Sequence, residues 1–167
     1  AEIGPRALGN RSILGDPRSK EAKKILNTIK QREWWRPVAP IILAEDVAQW
    51  YEDACYPSPF MLHTFQVQKE KVGLIPAVTH LDNSARVQTL TAEENPELYN
   101  CIREFKKETG VPIVANTSLN DKGEPIINTI KEALNFASQI QESFSKIQSK
   151  LDKNPIMKGT QFKNLFA

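Results

Sequence analysis

Residues 95–116 have the sequence NPELYNCIREFKKETGVPIVAN, which predicts a capped amphipathic helix followed directly by a buried strand. Asn95 is a favourable N-cap, Pro96 suits the first helical position, and Gly110 is a typical residue at a helix end. Between these ends, apolar residues recur three and four positions apart and form one face. The apolar run at 112–116 is typical of a strand that is covered on both sides.

Helices and strands alternate on either side of this stretch. The further predicted elements are a helix capped by Asp16 with Pro17 at its first position and ending near Arg32, a strand at 40–44, a short helix at 45–51, strands at 63–68 and 85–90, and a long amphipathic helix at 129–151. This interleaving predicts a single α/β domain across residues 1–167, mixed α+β in character, with a twisted mixed sheet flanked by helices.

The composition of the 167-residue chain is that of an ordinary globular protein, with 40% hydrophobic and 25% charged residues. No apolar run approaches the roughly 20 residues that span a bilayer, and no secretory hydrophobic region precedes the first motif. We therefore expect a cytoplasmic protein without a membrane partner. Because the chain begins inside that motif, we also expect it to be a fragment. The two cysteines and two histidines form neither a zinc pattern nor a disulfide framework, so we expect no protein-bound metal.

Positive charge is concentrated near the start of the chain. The net charge of +2 is too small to indicate nucleic-acid binding, but residues 1–36 hold nine basic and four acidic residues. An anion site is therefore expected there. Gly4 and Gly9 flank a loop that holds Arg6, and Arg11 follows. The spacing excludes a Walker A loop, yet backbone amides beside guanidinium groups suit a phosphate or carboxylate; a structural glycine turn is the alternative.

Three cations follow the apolar face of the first predicted helix. Lys30, Arg32 and Arg36 lie at its end and in the turn that leads to the strand at 40–44. They are candidates for anion binding, and stabilisation of the helix C-terminus is an equally good explanation. We expect Trp34 and Trp35 to be packing residues rather than a stacking platform.

A polar loop before the predicted strand at 85–90 holds further candidates. Arg86 and Gln88 would share one face of that strand, where an arginine is commonly an ion-pair partner. His80 and Asp82 have the residue types of a catalytic base and its orienting acid. No serine or cysteine nucleophile is evident, so we do not favour a catalytic dyad.

Three uncharged polar residues follow the strand at 112–116. Strand alternation would point Asn116, Ser118 and Asn120 in the same direction, where they suit a planar amide or a phosphate ester. A network of side chains that stabilises the loop is the equally weighted alternative.

Taken together, four segments closely resemble the C-terminal region of the O-carbamoyltransferases of nodulation-factor and antibiotic biosynthesis. The segments are EIGPRALGNRSIL at 2–14, KxRExxRPxAP at 30–40, PAVTHxDxxARVQ at 76–88 and NTSxNxxGEP at 116–125. The resemblance covers residues 2–137. Within it, the KxR and SxN pairs are similar to those of YrdC-like domains, so the resemblance implies a YrdC-like layered fold. The segment after residue 137 departs from the family pattern, and residues 155–167 form a tail without an assignment.

The resemblance implies a function in carbamoyl transfer. A YrdC-like domain of this family is expected to bind carbamoyl phosphate and ATP with Mg²⁺, to release phosphate, and to join the carbamate to AMP with loss of pyrophosphate. A separate N-terminal actin-fold domain, which nothing in this chain resembles, would then move the carbamoyl group to a hydroxyl of the acceptor. The chain alone is therefore not expected to complete the transfer, and its acceptor cannot be deduced.

The resemblance also implies roles for individual residues. Bringing two polyanionic substrates together requires cationic groups that offset their repulsion. Lys30, Arg36 and Arg86 are implied as catalytic residues, and Lys30 and Ser118 as contacts to ATP. The implied substrate-binding residues are Arg6, Arg32, Arg36, Arg86, Asn116, Ser118 and Asn120.

The alternative function is that of a YrdC-like module that binds nucleotide or structured RNA without carbamoyl chemistry. Such a module would show a steep salt dependence and no requirement for carbamoyl phosphate. Nucleic acid is the less favoured partner, because the arginine and asparagine motifs suit small anions and aromatic residues are not regularly interleaved with basic ones.

Overall fold

The computed structural model describes residues 9–54 and 57–152, within two compact units, Ala1–Ile126 and Ile127–Ala167. In the first unit the strands are β1 (Ser12–Gly15), β2 (Ala39–Leu43), β3 (Tyr51–Glu52), β4 (Thr64–Val67), β5 (Ser84–Arg86), β6 (Gln88–Leu90) and β7 (Ile113–Ser118). Its helices are α1 (Lys20–Ile29), α2 (Val47–Trp50) and α3 (Pro96–Thr109). In the second unit, α4 spans Ile130–Asp152 and confirms the helix predicted at 129–151.

The first unit contains two sheets. The larger sheet has the strand order β1-β7-β2-β6, in which β2 and β6 are parallel and the other two pairs are antiparallel. The smaller sheet is antiparallel and has the order β3-β4-β5. Helices and mixed strands therefore form an α/β fold, as the sequence predicted. The predicted extent of a single domain, residues 1–167, stays a prediction.

Apolar side chains cover both faces of the larger sheet. Every residue of β2 is buried, which explains its continuous apolar sequence. Ile42 packs on one face together with Ile113, whereas Ile41 and Leu43 pack on the other face with Ile102 of α3. The sheet is thus packed on both faces, and this core supports the polar ends of its strands.

The helix and strand of residues 95–116 are confirmed. The side chain of Asn95 accepts a hydrogen bond from the backbone N–H of Leu98, and Pro96 occupies the first turn of α3. Gly110 ends the helix in the left-handed conformation, with φ of +75°. The strand extends two residues further than predicted, to Ser118.

The predicted start of the first helix is wrong. Its N-cap is Ser19, whose hydroxyl accepts the backbone N–H of Glu21, and the helix begins at Lys20. Asp16 instead accepts hydrogen bonds from the backbone and guanidinium of Arg18, with 2.6 Å from Nη2 to Oδ2. Because its carboxylate is occupied by this local pairing, Asp16 caps no helix.

The strand predicted at 85–90 is interrupted. Val87 separates β5 from β6, and the two segments belong to different sheets. Arg86 is exposed at the end of β5, whereas Gln88 is fully buried at the start of β6. The prediction that Arg86 and Gln88 share one strand face is therefore wrong. Two further strands, β1 and β3, were not predicted.

The two neighbouring tryptophans are also not core residues. Trp34 is 77% exposed and Trp35 is 58% exposed, which contradicts the packing role expected for them.

Within the described part of the chain, no helix is long and apolar enough to cross a membrane.

Candidate anion-binding site

The end of α1 places two of the predicted cations in different directions. Lys30 is the C-cap, the N–H of Gln31 donates to the carbonyl of Thr28, and the N–H of Arg32 donates to the carbonyl of Asn27. This pair of bonds is a Schellman motif, with Gln31 in the left-handed conformation at φ of +46°. The motif turns the chain sharply after Lys30, so Lys30 and Arg32 leave the helix end separately.

Lys30 connects α1 to the end of β7. Its Nζ lies 2.8 Å from the main-chain oxygen of Ser118 and 2.5 Å from Oδ1 of Asn120, and it also donates to the main-chain oxygen of Asn120. Three oxygen acceptors thus satisfy the three protons of the ammonium group, and Lys30 as a residue is only 6% exposed. Burial, and then the positive charge of Arg32, lower the pKa of Lys30 to about 8, against a smaller opposing effect of Asp121.

The loop after β7 is ordered around the same ammonium group. Asn120 donates from Nδ2 to the main-chain oxygen of Glu124 over 2.6 Å, which leaves its Oδ1 facing Lys30. The hydroxyl of Ser118 donates to that same Oδ1 over 2.6 Å. Lys30 of the KxR motif therefore forms one hydrogen-bonded cluster with Ser118 and Asn120 of the SxN motif, although the two motifs are almost ninety positions apart.

Asn27 holds the turn after α1, and sequence analysis did not identify it. Its Nδ2 donates to the main-chain oxygens of Trp34 and Arg36, each over 3.0 Å, and its Oδ1 accepts from Nε of Arg32 over 2.6 Å. Asn27 is 1% exposed, so this amide makes its hydrogen bonds inside the protein. An asparagine within a helix gives no sequence signal of burial, and only the structure shows its role.

The guanidinium groups of Arg36 and Arg86 both lie within electrostatic reach of the guanidinium group of Arg32. Burial, followed by the positive charges of Arg36 and Arg86, lowers the pKa of Arg32. Arg36 pairs with Glu33, with 3.1 Å between Nε and Oε2. Nη2 of Arg32 is buried and has no hydrogen-bond partner among residues 9–54 and 57–152. A buried guanidinium N–H in a cluster with this excess of positive charge favours an anion.

Asn116 lies on β7, two residues before Ser118, so the two side chains leave the same face of the strand. Its Nδ2 donates over 2.6 Å to Oε1 of Gln88, a residue that sequence analysis singled out only for its supposed alignment with Arg86. This buried amide pair lies on the face of the larger sheet that also carries Ile41.

The predicted site residues therefore fall into three groups. Lys30, Ser118 and Asn120 are joined by hydrogen bonds, and Arg32, Arg36 and Arg86 form the guanidinium cluster. Asn116 is paired with Gln88. Arg6 lies outside the described residues, and its part in the site stays a prediction.

His80 and Asp82 are bridged by a serine. Ser84 donates from its hydroxyl to Oδ1 of Asp82 over 2.7 Å, and Nδ1 of His80 lies 3.0 Å from the same hydroxyl. The backbone N–H of Ser84 also donates to Asp82, which makes this a local turn stabilised by its own side chains. Within the part of the chain that the structure describes, no group of three His, Cys, Asp or Glu side chains is arranged to hold a metal ion.

Comparison with known proteins decides the family. Residues 1–151 match the family model described as "Carbamoyltransferase C-terminus". The chain belongs to this carbamoyltransferase C-terminal family. The match includes all four segments on which the resemblance was based, and it confirms that resemblance.

Several relatives of this carbamoyltransferase C-terminal domain have names that state a role. It is 44% identical over 137 residues to nodulation protein NolO of Bradyrhizobium diazoefficiens, covering 80% of this chain and 25% of the relative. It is 43% identical over 136 residues to 3'-hydroxymethylcephem-O-carbamoyltransferase of Streptomyces clavuligerus, covering 81% of this chain and 25% of the relative. Nodulation protein U of Rhizobium tropici is 46% identical over 123 residues, 74% of this chain and 21% of its own length. The chain thus spans about a quarter of the length of these relatives.

Proposed function

We propose that this chain is the part of an O-carbamoyltransferase that binds carbamoyl phosphate and ATP and forms a carbamoyl-adenylate. The observation that carries the proposal is the buried, unpartnered Nη2 of Arg32 within the described guanidinium cluster. The family match and the named O-carbamoyltransferase relative are the grounds for proposing carbamoyl transfer as the reaction. A phosphate-bearing substrate would place its anionic oxygens where this N–H has no partner.

The proposed reaction has two steps. Water adds to the carbonyl carbon of carbamoyl phosphate, the bond from that carbon to the bridging oxygen breaks, and phosphate leaves with carbamate remaining. A carbamate oxygen then attacks the α-phosphorus of ATP, the α–β phosphoanhydride bond breaks, and pyrophosphate leaves. The products are carbamoyl-AMP, phosphate and pyrophosphate. Because carbamate is a weak nucleophile that decomposes in water, positioning and water exclusion would provide most of the rate enhancement.

The residues of the site have distinct proposed roles in this reaction. Arg32, Arg36 and Arg86 would hold phosphoryl oxygens with their guanidinium forks and offset the repulsion between the two substrates. Lys30 would keep Ser118 and the loop behind it in place and contribute a positive charge toward ATP. Mg²⁺ would enter with the ATP phosphates, since the described residues offer no carboxylate cluster for it.

The carbamoyl group would then pass to a hydroxyl of an acceptor, with release of AMP. We assign this transfer to another part of a longer protein, because the chain corresponds to about a quarter of its named relatives. The experiment that tests the proposed function is the release of pyrophosphate from ATP by the 167-residue chain. Release that requires carbamoyl phosphate supports the proposal, and release that is independent of carbamoyl phosphate contradicts it.

A nucleotide-binding or RNA-binding module without carbamoyl chemistry is the second candidate. Trp34 and Trp35 are exposed between two arginines of the cluster, and Trp34 lines a cavity of about 850 Å³. The cavity lining also includes Lys20, Lys23 and His80. Exposed aromatic rings beside basic residues suit stacking of bases, so this candidate predicts binding that falls steeply with salt and does not need carbamoyl phosphate.

A further inference from the structure

Two buried amides and one main-chain carbonyl form a hydrogen-bonded chain that ends at Asn116 of β7. Gln88 is fully buried, and its Nε2 donates over 2.9 Å to the main-chain oxygen of Pro59. Its Oε1 accepts over 2.6 Å from Nδ2 of Asn116, which is 6% exposed. The sequence predicted substrate binding for Asn116 and gave Gln88 no role in the site.

The direction of this chain is fixed by its first member. The Pro59 carbonyl can only accept, so the NH₂ group of Gln88 must face it. The oxygen of Gln88 then faces Asn116, and the NH₂ group of Asn116 must donate to that oxygen. Reversing Gln88 would bring its Oε1 against the Pro59 carbonyl, and two buried oxygens would face each other without a proton.

Oδ1 of Asn116 is therefore a hydrogen-bond acceptor of fixed orientation. It is buried and has no hydrogen-bond partner among the described residues. A buried acceptor of this kind calls for a ligand that carries a donor. Asn116 precedes Ser118 by two residues on the same face of β7, and the Ser118 hydroxyl lies 3.4 Å from Nζ of Lys30, so the acceptor stands beside the Lys30 cluster.

We propose that Gln88 is a positioning residue that presents Oδ1 of Asn116 as an acceptor, and that this acceptor selects an acyl phosphate bearing an NH₂ group over one bearing a methyl group. The inference rests on the proposed function and deepens it. Carbamoyl phosphate and acetyl phosphate carry the same phosphate and carbonyl groups and differ only at this position. The NH₂ group of the first donates to Oδ1, whereas the methyl group of the second leaves the acceptor unpaired.

The test is calorimetric titration of the wild-type 167-residue chain with carbamoyl phosphate and with acetyl phosphate. We expect carbamoyl phosphate to bind about tenfold more tightly, the effect of one buried hydrogen bond. Equal binding of the two compounds overturns the inference and leaves the proposed function standing. If carbamoyl phosphate does not bind, both the inference and the proposed function are overturned.

Three variants then assign the selectivity to the amide chain. Asn116→Leu should abolish the preference by weakening carbamoyl phosphate binding about tenfold, with acetyl phosphate binding unchanged. Gln88→Met, which keeps the volume but removes the amide, should reduce the preference in the same way because Asn116 is then free to reverse. Thr117→Val, on the opposite face of β7, is the matched control and should retain the full preference.

These variants separate positioning from a merely structural role. A structural defect would weaken the binding of both acyl phosphates together, whereas the proposal predicts a change for carbamoyl phosphate alone. A wild-type preference that survives both Asn116→Leu and Gln88→Met overturns the inference. Should one of these variants fail to fold, the wild-type preference together with the other variant decides the outcome.

Discussion

Nζ of Lys30 lies 2.8 Å from the main-chain oxygen of Ser118, a residue 88 positions further along the chain. The contact joins the C-terminal end of α1 to the end of β7, and Asn120 supplies two further acceptors to the same ammonium group. The two short motifs that suggested the family from sequence are thus one physical unit. Lys30 therefore both orders the loop after β7 and places a positive charge beside it.

Replacing Lys30 by Met should destabilise the fold by about 2–3 kcal/mol, the range for losing charge-assisted hydrogen bonds with buried partners. The variant removes the Lys30 donor from the main-chain oxygens of Ser118 and Asn120, and among the described residues only Ser118 keeps another donor, the backbone N–H of Asn120. Urea unfolding measures the change. Lys24→Met, on the exposed face of the same helix, is the matched control and should change stability by less than about 0.5 kcal/mol. Equal effects of the two variants would show that the contact with Ser118 is dispensable.

The stability contribution of Lys30 should depend on pH above about pH 8. Its pKa in the folded protein is about 8, below the ordinary lysine value of 10.5. Between these two values the unfolded chain keeps a proton that the folded chain has lost, so the free energy of unfolding should rise with pH in this window. Urea unfolding between pH 7.5 and about pH 10, relative to Lys30→Met, isolates this contribution. A wild-type difference that stays constant or falls across the window contradicts the lowered pKa.

Asn27→Leu should both destabilise the protein and weaken anion binding. The variant removes the amide that bonds the main-chain oxygens of Trp34 and Arg36 and orients Arg32, so we expect a loss of about 2 kcal/mol in thermal unfolding. The binding of carbamoyl phosphate should fall as well, because Arg32 loses its fixed orientation. Thr28→Ala, at the exposed neighbouring position, is the control. If Asn27→Leu alters stability while leaving carbamoyl phosphate binding untouched, Asn27 does not position Arg32 for the ligand.

The two kinds of cation near the site should respond differently to substitution. Arg86→Lys keeps the charge but removes the fork, so carbamoyl phosphate binding should weaken by about 1–3 kcal/mol. Lys20→Ala, at an exposed position of α1, should have almost no effect. Titration calorimetry compares the two. Equal losses of affinity in Arg86→Lys and Lys20→Ala would mean that the basic region attracts the anion only through its overall positive charge. If Arg36→Lys weakens binding and Arg86→Lys does not, Arg86 has a structural role and does not contact the ligand.

Local sequence signals predicted those elements whose causes are local. Asn95, Pro96 and Gly110 define both ends of α3 through capping and backbone conformation, which act within a few residues. The continuous apolar run of β2 likewise follows from burial on both faces. By contrast, the prediction of Asp16 as the N-cap of α1 is wrong, because Arg18 occupies its carboxylate. Capping preference alone does not show which of these two interactions is the more favourable.

The parts of the site that depend on distant contacts were not accessible from sequence. Arg86 and Gln88 are two residues apart, yet a change of sheet at Val87 separates an exposed arginine from a buried amide. Asn27 lies outside the four segments of the resemblance and Gln88 ends the third, but neither position indicates its hydrogen-bond partners. Their roles follow from carbonyl groups that the fold brings to them. The resemblance identified the residue types of the site, whereas hydrogen-bond direction and burial required the structure.

In the proposed function, the guanidinium cluster around Arg32 binds carbamoyl phosphate. The most direct test is calorimetric titration of carbamoyl phosphate into the wild-type chain and into Arg32→Met, with circular dichroism confirming that both are folded. We expect saturable binding at one site in the wild type and a loss of at least about tenfold in the variant, because the unpartnered Nη2 is removed. No binding to the wild type, or equal binding to the two proteins, would contradict the proposed function.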